Sequence, residues 1–277
     1  MAYKRILTIQ DISCVGQCSL TVALPILSAS GLETCILPSA VLSTHTGGFK
    51  GYTFRDLTDD IPGIADHWES EGIKFDAVYS GYLGSARQIA YVKDITKRLA
   101  SEGGVSIVDP AMADNGRLYV GFDQDFVEAM KSLVFSADII LPNITEACML
   151  TGTEYRESYD RAYIDGLLES LESAGASTII LTGVSFAPGS TGVMVDEKGV
   201  RSYYEHRKIA KGCHGTGDIF ASAFVGAMMG GRPLIDSAKI AADYTVLCIE
   251  GTQGDPGHWY GVKFEQGLPD YIRMLGL

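Results

Sequence analysis

Basic residues are scarce in this chain, and they never cluster. Its 277 residues carry 22 Lys and Arg against 34 Asp and Glu, a formal net charge of −12. Nucleic acids and anionic membrane surfaces are held by clustered Lys and Arg, so neither is expected as a partner. No apolar run approaches the length of a membrane span. The opening MAYKRILTIQDI reads as the start of a strand and lacks the apolar core of a secretion signal. Cysteine is sparse and scattered, at Cys14, Cys18, Cys35, Cys148, Cys213 and Cys248. Cys14 and Cys18 suggest half a metal site, but no second Cys or His pair has matching spacing. Free thiols in a cytoplasmic protein are therefore the expectation. Repeats, low-complexity tracts and linkers are also missing, which favours one domain over residues 1–277.

What is present is ordinary for a soluble enzyme, with 46% hydrophobic and 20% charged residues. Short β-rich runs alternate with helical ones. Strands are expected at Ile6–Ile9, Glu33–Leu37, Ala77–Tyr79, Ser106–Val108, Ile139–Leu141 and Thr178–Leu181. A hairpin is expected from Gly192–Asp196 and Val200–Tyr204, turning at Lys198-Gly199. Helical periods cover Ser19–Ala29, the stretch up to Leu99, a short run from Thr145, Tyr159–Ser173 and Ile235–Glu250. Strands separated by helices imply parallel pairing through right-handed crossovers. The expected fold is α/β, an open, mostly parallel sheet with helices on both faces. Ser43–Arg55, reading STHTGGFKGYTFR, breaks this rhythm and is expected to form a small flap over a site.

The most informative stretch is Gly212–Gly231, GCHGTGDIFASAFVGAMMGG. Ile219, Phe220, Ala223, Phe224, Ala227 and Met228 recur at helical spacing, so a helix should begin near Asp218. The first-turn N–H groups of a helix lack internal partners and sit at the positive end of its dipole. Gly215, Thr216 and Gly217 would let an anion approach them, forming a cradle for phosphate. Asp218 at its mouth suits the removal of a proton from an attacking hydroxyl. The plainer alternative is simple helix capping. Against that alternative, Asp11, Tyr82, Asp109, Asn143 and Thr182 all fall after the ends of expected strands, where open α/β sheets bind ligands.

Further candidates follow. Asp109, Asn143 and Glu146 offer hard oxygen donors suited to Mg²⁺; the competing reading of Asn143–Glu146 is a helix cap. Asp114 adds charge or simply turns the chain at Asn115-Gly116. Thr182, with Gly183, bonds a nucleotide phosphate or ends a strand. Tyr82 stacks on a flat ring or packs in the core. His45 and Thr46 touch substrate from the flap or are solvated. Cys213-His214 invites a nucleophile reading, but sequence neighbours rarely face each other as Cys–His catalysis needs.

GTGD opening a helix, with VDPAM and LPNITEA upstream, resembles the ribokinase superfamily of small-molecule kinases. LTIQDISCVGQCSLTVALPILSASG, LPSAVLSTHTGGFKGYTF and YSGYLGS are similar to the pyridoxal kinase group within it, and the resemblance spans essentially the whole chain. It implies a ribokinase-like fold and transfer of the ATP γ-phosphate to the 5′-hydroxymethyl of pyridoxal, pyridoxine or pyridoxamine. It further implies use of Mg²⁺ and of a monovalent cation such as K⁺, and a homodimer. By the same resemblance Asp218 is the catalytic base and Gly215, Thr216 and Gly217 the anion hole. Asp109, Asn143, Thr182 and Gly183 would sit at the nucleotide, Asp114 and Glu146 at the metal, and Asp11, His45, Thr46 and Tyr82 at the substrate. Asp11 stands where many pyridoxal kinases have Ser, and Leu42 where an aromatic residue often precedes the flap. An acidic residue at position 11 is similar to the hydroxymethylpyrimidine kinases, which are the main alternative. A sugar kinase and a non-catalytic ligand carrier are the others.

Overall fold

The computed structural model describes residues 3–209 and 214–277. Cys213 and Gly212 lie outside the described residues, and with them the Cys213-His214 reading. So do Met1 and Ala2 of the opening stretch. In chain order the first half comprises β1 (Arg5–Ser13), α1 (Leu20–Ala29), β2 (Glu33–Leu42), β3 (Phe54–Asp56), α2 (Ile61–Ser70), β4 (Phe75–Ser80), α3 (Ala86–Leu99) and β5 (Ala100–Val108). A two-residue pair follows, β6 (Ala113–Asp114) and β7 (Arg117–Leu118), then α4 (Gln124–Val134), β8 (Ile139–Ile140), α5 (Ile144–Thr151) and α6 (Arg161–Ser173). The chain ends with β9 (Thr178–Val184), β10 (Ser190–Glu197), β11 (Val200–Arg207), α7 (Thr216–Met229), α8 (Leu234–Thr252) and α9 (Phe264–Leu275).

The main sheet has nine strands in the order β11-β10-β9-β8-β5-β4-β1-β2-β3. Pairing is parallel from β2 through β1, β4, β5 and β8 to β9. At the edges β3, β10 and β11 run antiparallel to their neighbours. Strand order reverses between β1 and β4, because β1 is followed by β2 on one side while β4 sits on the other. Ligand sites open at the carboxyl ends of strands at such a point. The β10–β11 hairpin turns at Lys198 and Gly199, both with positive φ (55° and 85°), the geometry of a two-residue hairpin turn.

Each face of the sheet carries its own apolar core. On one, Leu7, Val78 and Val108 pack with Val92 of α3, Leu133 of α4 and Leu167 of α6. On the other, Ile6, Ala77 and Ile107 pack with Ile26 of α1, Phe224 of α7 and Tyr244 of α8. Alternate residues of the same strands feed opposite cores, as a doubly covered sheet requires.

Helices start where side chains cap them. Ser85, Asp123 and Asp160 each accept a hydrogen bond from a first-turn amide of α3, α4 and α6. Three helices were not expected from sequence, α2, α4 and α9. In α9, Gly267 and Pro269 read as breakers. Gly267 is there for contact, since a Cβ on it would lie 2.8 Å from a Leu247 methyl and 3.0 Å from the Tyr244 ring. Among the described residues no helix is long and apolar enough to cross a membrane.

Candidate active site

The glycine cradle does open a helix. Gly215 is the residue before α7, with φ 79° and ψ 3°. A Cβ there would stand 1.8 Å from the Gln17 carbonyl oxygen, so both backbone conformation and space demand glycine. A Cβ on Gly217 would meet none of the described atoms within 4 Å. α7 itself is buried around most of its circumference, which fixes the direction of that first turn.

Asp218, in the same turn, lies near the backbone N–H of Ser19, which favours its charged form. Ser19 holds φ 55° and ψ −130°, a conformation costly for any residue but glycine. Its hydroxyl lies near the Asp11 carboxylate, whose Oδ2 accepts from the Ser13 hydroxyl at 3.0 Å. One strained serine thus lies beside two acids from different elements. Asp11 does not follow β1, as expected from sequence, but lies within it. The β1–β2 register slips there, Gln10 pairing with Pro38 and Ile12 with Val41. The extra residue lies on β2, where Ser39 and Ala40 stand against Asp11 alone. Asp11 is 5% exposed, and burial raises its pKa.

Asp109 follows β5, and its Oδ1 accepts from the Ala111 N–H at 3.2 Å. Burial lifts its pKa above the usual carboxylate range. The Asp218 carboxyl is pushed up to about 7, by burial first and then by Asp109 and Asp11, partly offset by the Ser19 amide. Glu146 is raised as well, by burial and then by Asp109. None of these four acids forms an ion pair with Lys or Arg among the described residues. A cluster of desolvated carboxylates that raise one another's pKa and lack a countercharge is characteristic of functional sites.

The Asn143–Glu146 pair forms a complete capping box on α5. Glu146 is 2% exposed; its Oε2 accepts from the Asn143 N–H at 2.9 Å and its Oε1 from Met112 and Ala113 at 3.0 and 3.4 Å. The Asn143 amide accepts from the Glu146 N–H at 2.9 Å and donates to the Ala113 carbonyl at 2.8 Å. Both side chains are therefore spent on the loop that carries Asp114. The cap, weighed above against a metal role, is the arrangement present.

A groove of about 560 Å³ lies beside this loop, with Asp114, Asn143, Thr182, Gly183 and Lys208 in its lining. Thr182 and Gly183 sit inside β9 rather than beyond it. Gly183 has φ 77° and is the extra residue where β9 slips against β10. Sequence reasoning passed over Lys208, the aromatic walls Tyr155, Tyr159 and Phe186, and Tyr119. Tyr119, 41% exposed, is raised in pKa by partial burial and then by Glu146, Asp109, Asp114 and Asp218. None of these lies in a motif, and only the topology brings them together.

The expected flap is irregular and ends in the edge strand β3. His45 is 5% exposed rather than solvated. Its Nε2 donates to the Tyr260 carbonyl at 2.5 Å, and its Nδ1 accepts from the Gly47 N–H at 3.0 Å. The ring lies 5.2 Å from that of His214, and Phe49 lies 4.7 Å from Trp259. The flap is thus fastened to the residues just before the cradle and to the loop before α9. Thr46 is exposed. Tyr82, half-buried after β4, packs on Phe122 at 5.5 Å. The described cysteines are all free. Cys18 is held as a thiol by burial and then by Asp218 and Asp11.

A protein from Bacteroides thetaiotaomicron, described as a candidate phosphomethylpyrimidine kinase and crystallised with pyridoxal, is 35% identical, with 97% of this chain and 96% of that chain covered and a TM-score of 0.91. Pyridoxal kinase from Lactobacillus plantarum is 32% identical over 98% of this chain and 97% of that chain, with a TM-score of 0.90. Pyridoxal kinase from Dictyostelium discoideum is 28% identical over 80% of this chain and 77% of its own length. The sequence profile of the phosphomethylpyrimidine kinases matches residues 65–262. With a ribokinase-like fold and a family profile matched over most of its length, the chain belongs to the phosphomethylpyrimidine kinase family.

Proposed function

We propose that this protein is an ATP-dependent kinase that phosphorylates the 5′-hydroxymethyl group of a B6 vitamer, with Asp218 as the base. The observation that carries the reading is Asp218 itself, a carboxyl raised to about 7 in the first turn of α7, near the reversal point of the sheet. A base with its pKa near the working pH is the most effective kind, contributing about 10²- to 10⁴-fold. Phosphoryl transfer needs positioning and charge stabilisation more than covalent help. The Gly215–Gly217 amides would hold the oxygens of the transferring group, one such donor being worth about 3 kcal/mol.

The nucleotide would occupy the groove, its phosphates running from Lys208 and Thr182 toward Asp114. Mg²⁺ fits the donor set. It binds through one or two carboxylates plus substrate phosphates rather than an all-protein cage. Asp109 and Asp114 would hold it with the phosphates, and Glu146 would act from behind by fixing their loop. The ion supplies positive charge to phosphate oxygens. The described residues contain no group of three or more acidic, His or Cys side chains able to hold an ion unaided, consistent with that mode. K⁺, a homodimer and a cytoplasmic location belong to the same proposal. Exposed Val15 and Phe54, on either side of Ser43, are candidates for the subunit contact, which sedimentation would read.

A pyrimidine acceptor is the second reading, favoured by the family profile and by Asp11. The deciding experiment is an acceptor screen with Mg-ATP, following ADP release. Pyridoxal, pyridoxine or pyridoxamine should drive turnover above hydroxymethylpyrimidine, and Asp218→Asn should remove it while nucleotide binding persists. No turnover with any pyridine, or near-native turnover in Asp218→Asn, would overturn the proposal.

A further inference from the structure

Four loops meet beside the first turn of α7, and one side chain reaches all of them. They are residues 14–18 after β1, the flap, the residues leading into α7, and residues 253–263 between α8 and α9. The first two are laced together along the backbone. The Cys14 N–H donates to the Leu42 carbonyl at 2.8 Å, Val15 to Ser43 at 3.2 Å and His45 to Val15 at 3.3 Å. The His45 ring lies against Gly16, where a Cβ would stand 2.1 Å from its Cδ2. The same ring is 5.0 Å from Phe49 of the flap and 5.2 Å from His214 before α7. Its Nε2 reaches the Tyr260 carbonyl of the fourth loop at 2.5 Å.

These contacts leave the ring no polar atom to offer a ligand. The Gly47 N–H donates to Nδ1, so the imidazole proton is on Nε2, and Nε2 gives it to Tyr260. Both nitrogens are spent inside the protein. A second clasp runs beside the first. Phe49 packs on Trp259 at 4.7 Å, and Gly48 lies so close that a Cβ on it would stand 2.8 Å from the same indole. Gly47 is equally confined, since a Cβ there would lie 2.7 Å from the His214 ring. Gln17, the neighbour of Gly16, carries the carbonyl that leaves no room for a Cβ on Gly215. The packing therefore runs from Tyr260 through His45 and Gly16-Gln17 to Gly215, the residue that opens α7.

Resting on the kinase reading, we propose that His45 is a positioning residue rather than the substrate contact that the resemblance implies. It pins the flap and the turn before α7 in one arrangement, which keeps water from the transferring phosphoryl group. Closed loops of this kind suppress hydrolysis by excluding water. With the pin removed, water takes the place of the acceptor hydroxyl. Its oxygen bonds to the γ phosphorus as the bond to ADP breaks, Asp218 takes its proton, and ADP and inorganic phosphate leave. Loss of one hydrogen bond corresponds to a flap unfastened about fivefold more often.

The test counts ADP against phosphorylated acceptor, with Mg-ATP and pyridoxal. The wild type should release one ADP for each acceptor phosphorylated. His45→Phe keeps a ring in place but loses both hydrogen bonds. It should release ADP without acceptor about fivefold faster than wild type, and with acceptor it should release more ADP than product. Trp259→Ala, at a half-exposed position, loosens the flap from its other clasp and should uncouple in the same direction. His45→Gln, whose amide can donate to the Tyr260 carbonyl, should restore most of the coupling. Amide hydrogen exchange in His45→Phe should quicken both in the flap and at residues 214–217. A raised acceptor KM in His45→Phe and His45→Gln, with ADP and product still equal, would reveal a substrate contact and overturn the proposal. Faster exchange confined to the flap would overturn it too. A wild type inactive with every acceptor would instead overturn the kinase reading, and the exchange measurement would still decide whether His45 pins the two loops.

Discussion

Asp218 is where residue chemistry and proposed activity meet. Its folded pKa of about 7 stands well above the ordinary 3.8. If it is the base, kcat/KM for the acceptor should fall tenfold per pH unit below about pH 7, since that ratio reports the free enzyme's ionisations. A pH–rate profile with an acid limb nearer 4 would mean that the group is not rate-determining. The sequence placed this residue in a helix's first turn, where GTGD before an apolar helical run fits plain capping as well. Its environment was not legible. Ser19 looks like an ordinary serine in the sequence, and only the fold shows it placed between Asp218 and Asp11. His45 was noticed for the wrong surroundings. A loop histidine is usually solvated, whereas this one is buried with both ring nitrogens engaged.

At the scale of elements, the turn before α7 is the least forgiving. Gly215→Ala would need a Cβ 1.8 Å from the Gln17 carbonyl at positive φ. The turn must move, and with it the first-turn amides. Turnover should drop by at least about 10²-fold, the cost of one lost oxyanion donor, with far less effect on melting. Equal turnover would show that the amides are not used. A different cost is expected on α5. Asn143→Ala removes one half of the capping box and frees the Ala113 carbonyl, so Tm should fall by the equivalent of about 1 to 2 kcal/mol; an unchanged Tm would contradict the cap. Strands rich in Ile, Leu and Val were visible in sequence because their pattern is continuous. The helices α2, α4 and α9 were missed. Pro62 and Gly63 open α2, and Gly267 and Pro269 interrupt α9, so local signals pointed to loops while packing decided otherwise.

For the whole molecule, the acid cluster sets a pH dependence of stability. Asp218 binds its proton more tightly folded than unfolded, so between pH 3.8 and about 7 the native state holds more protons. Stability from this group is complete below the lower value and is lost as pH rises through the upper one. Asp109 and Glu146 are raised as well and act in the same direction. The wild-type Tm should therefore fall between about pH 5 and pH 8 more steeply than that of Asp218→Asn. Parallel curves would mean that the carboxyl is not desolvated in solution. The parallel sheet and its two covered faces were readable from the alternation of strands and helices. The groove was not, because Lys208, Phe186 and Tyr159 come from separate turns that only strand order makes neighbours.

The bond from His45 to the Tyr260 carbonyl spans 215 positions. During synthesis the flap emerges long before the residue that fastens it. A nascent chain halted between Arg207 and Tyr260 has its strands in hand but its flap unlatched. Completion of the last few dozen residues is what fastens the flap to the rest of the fold.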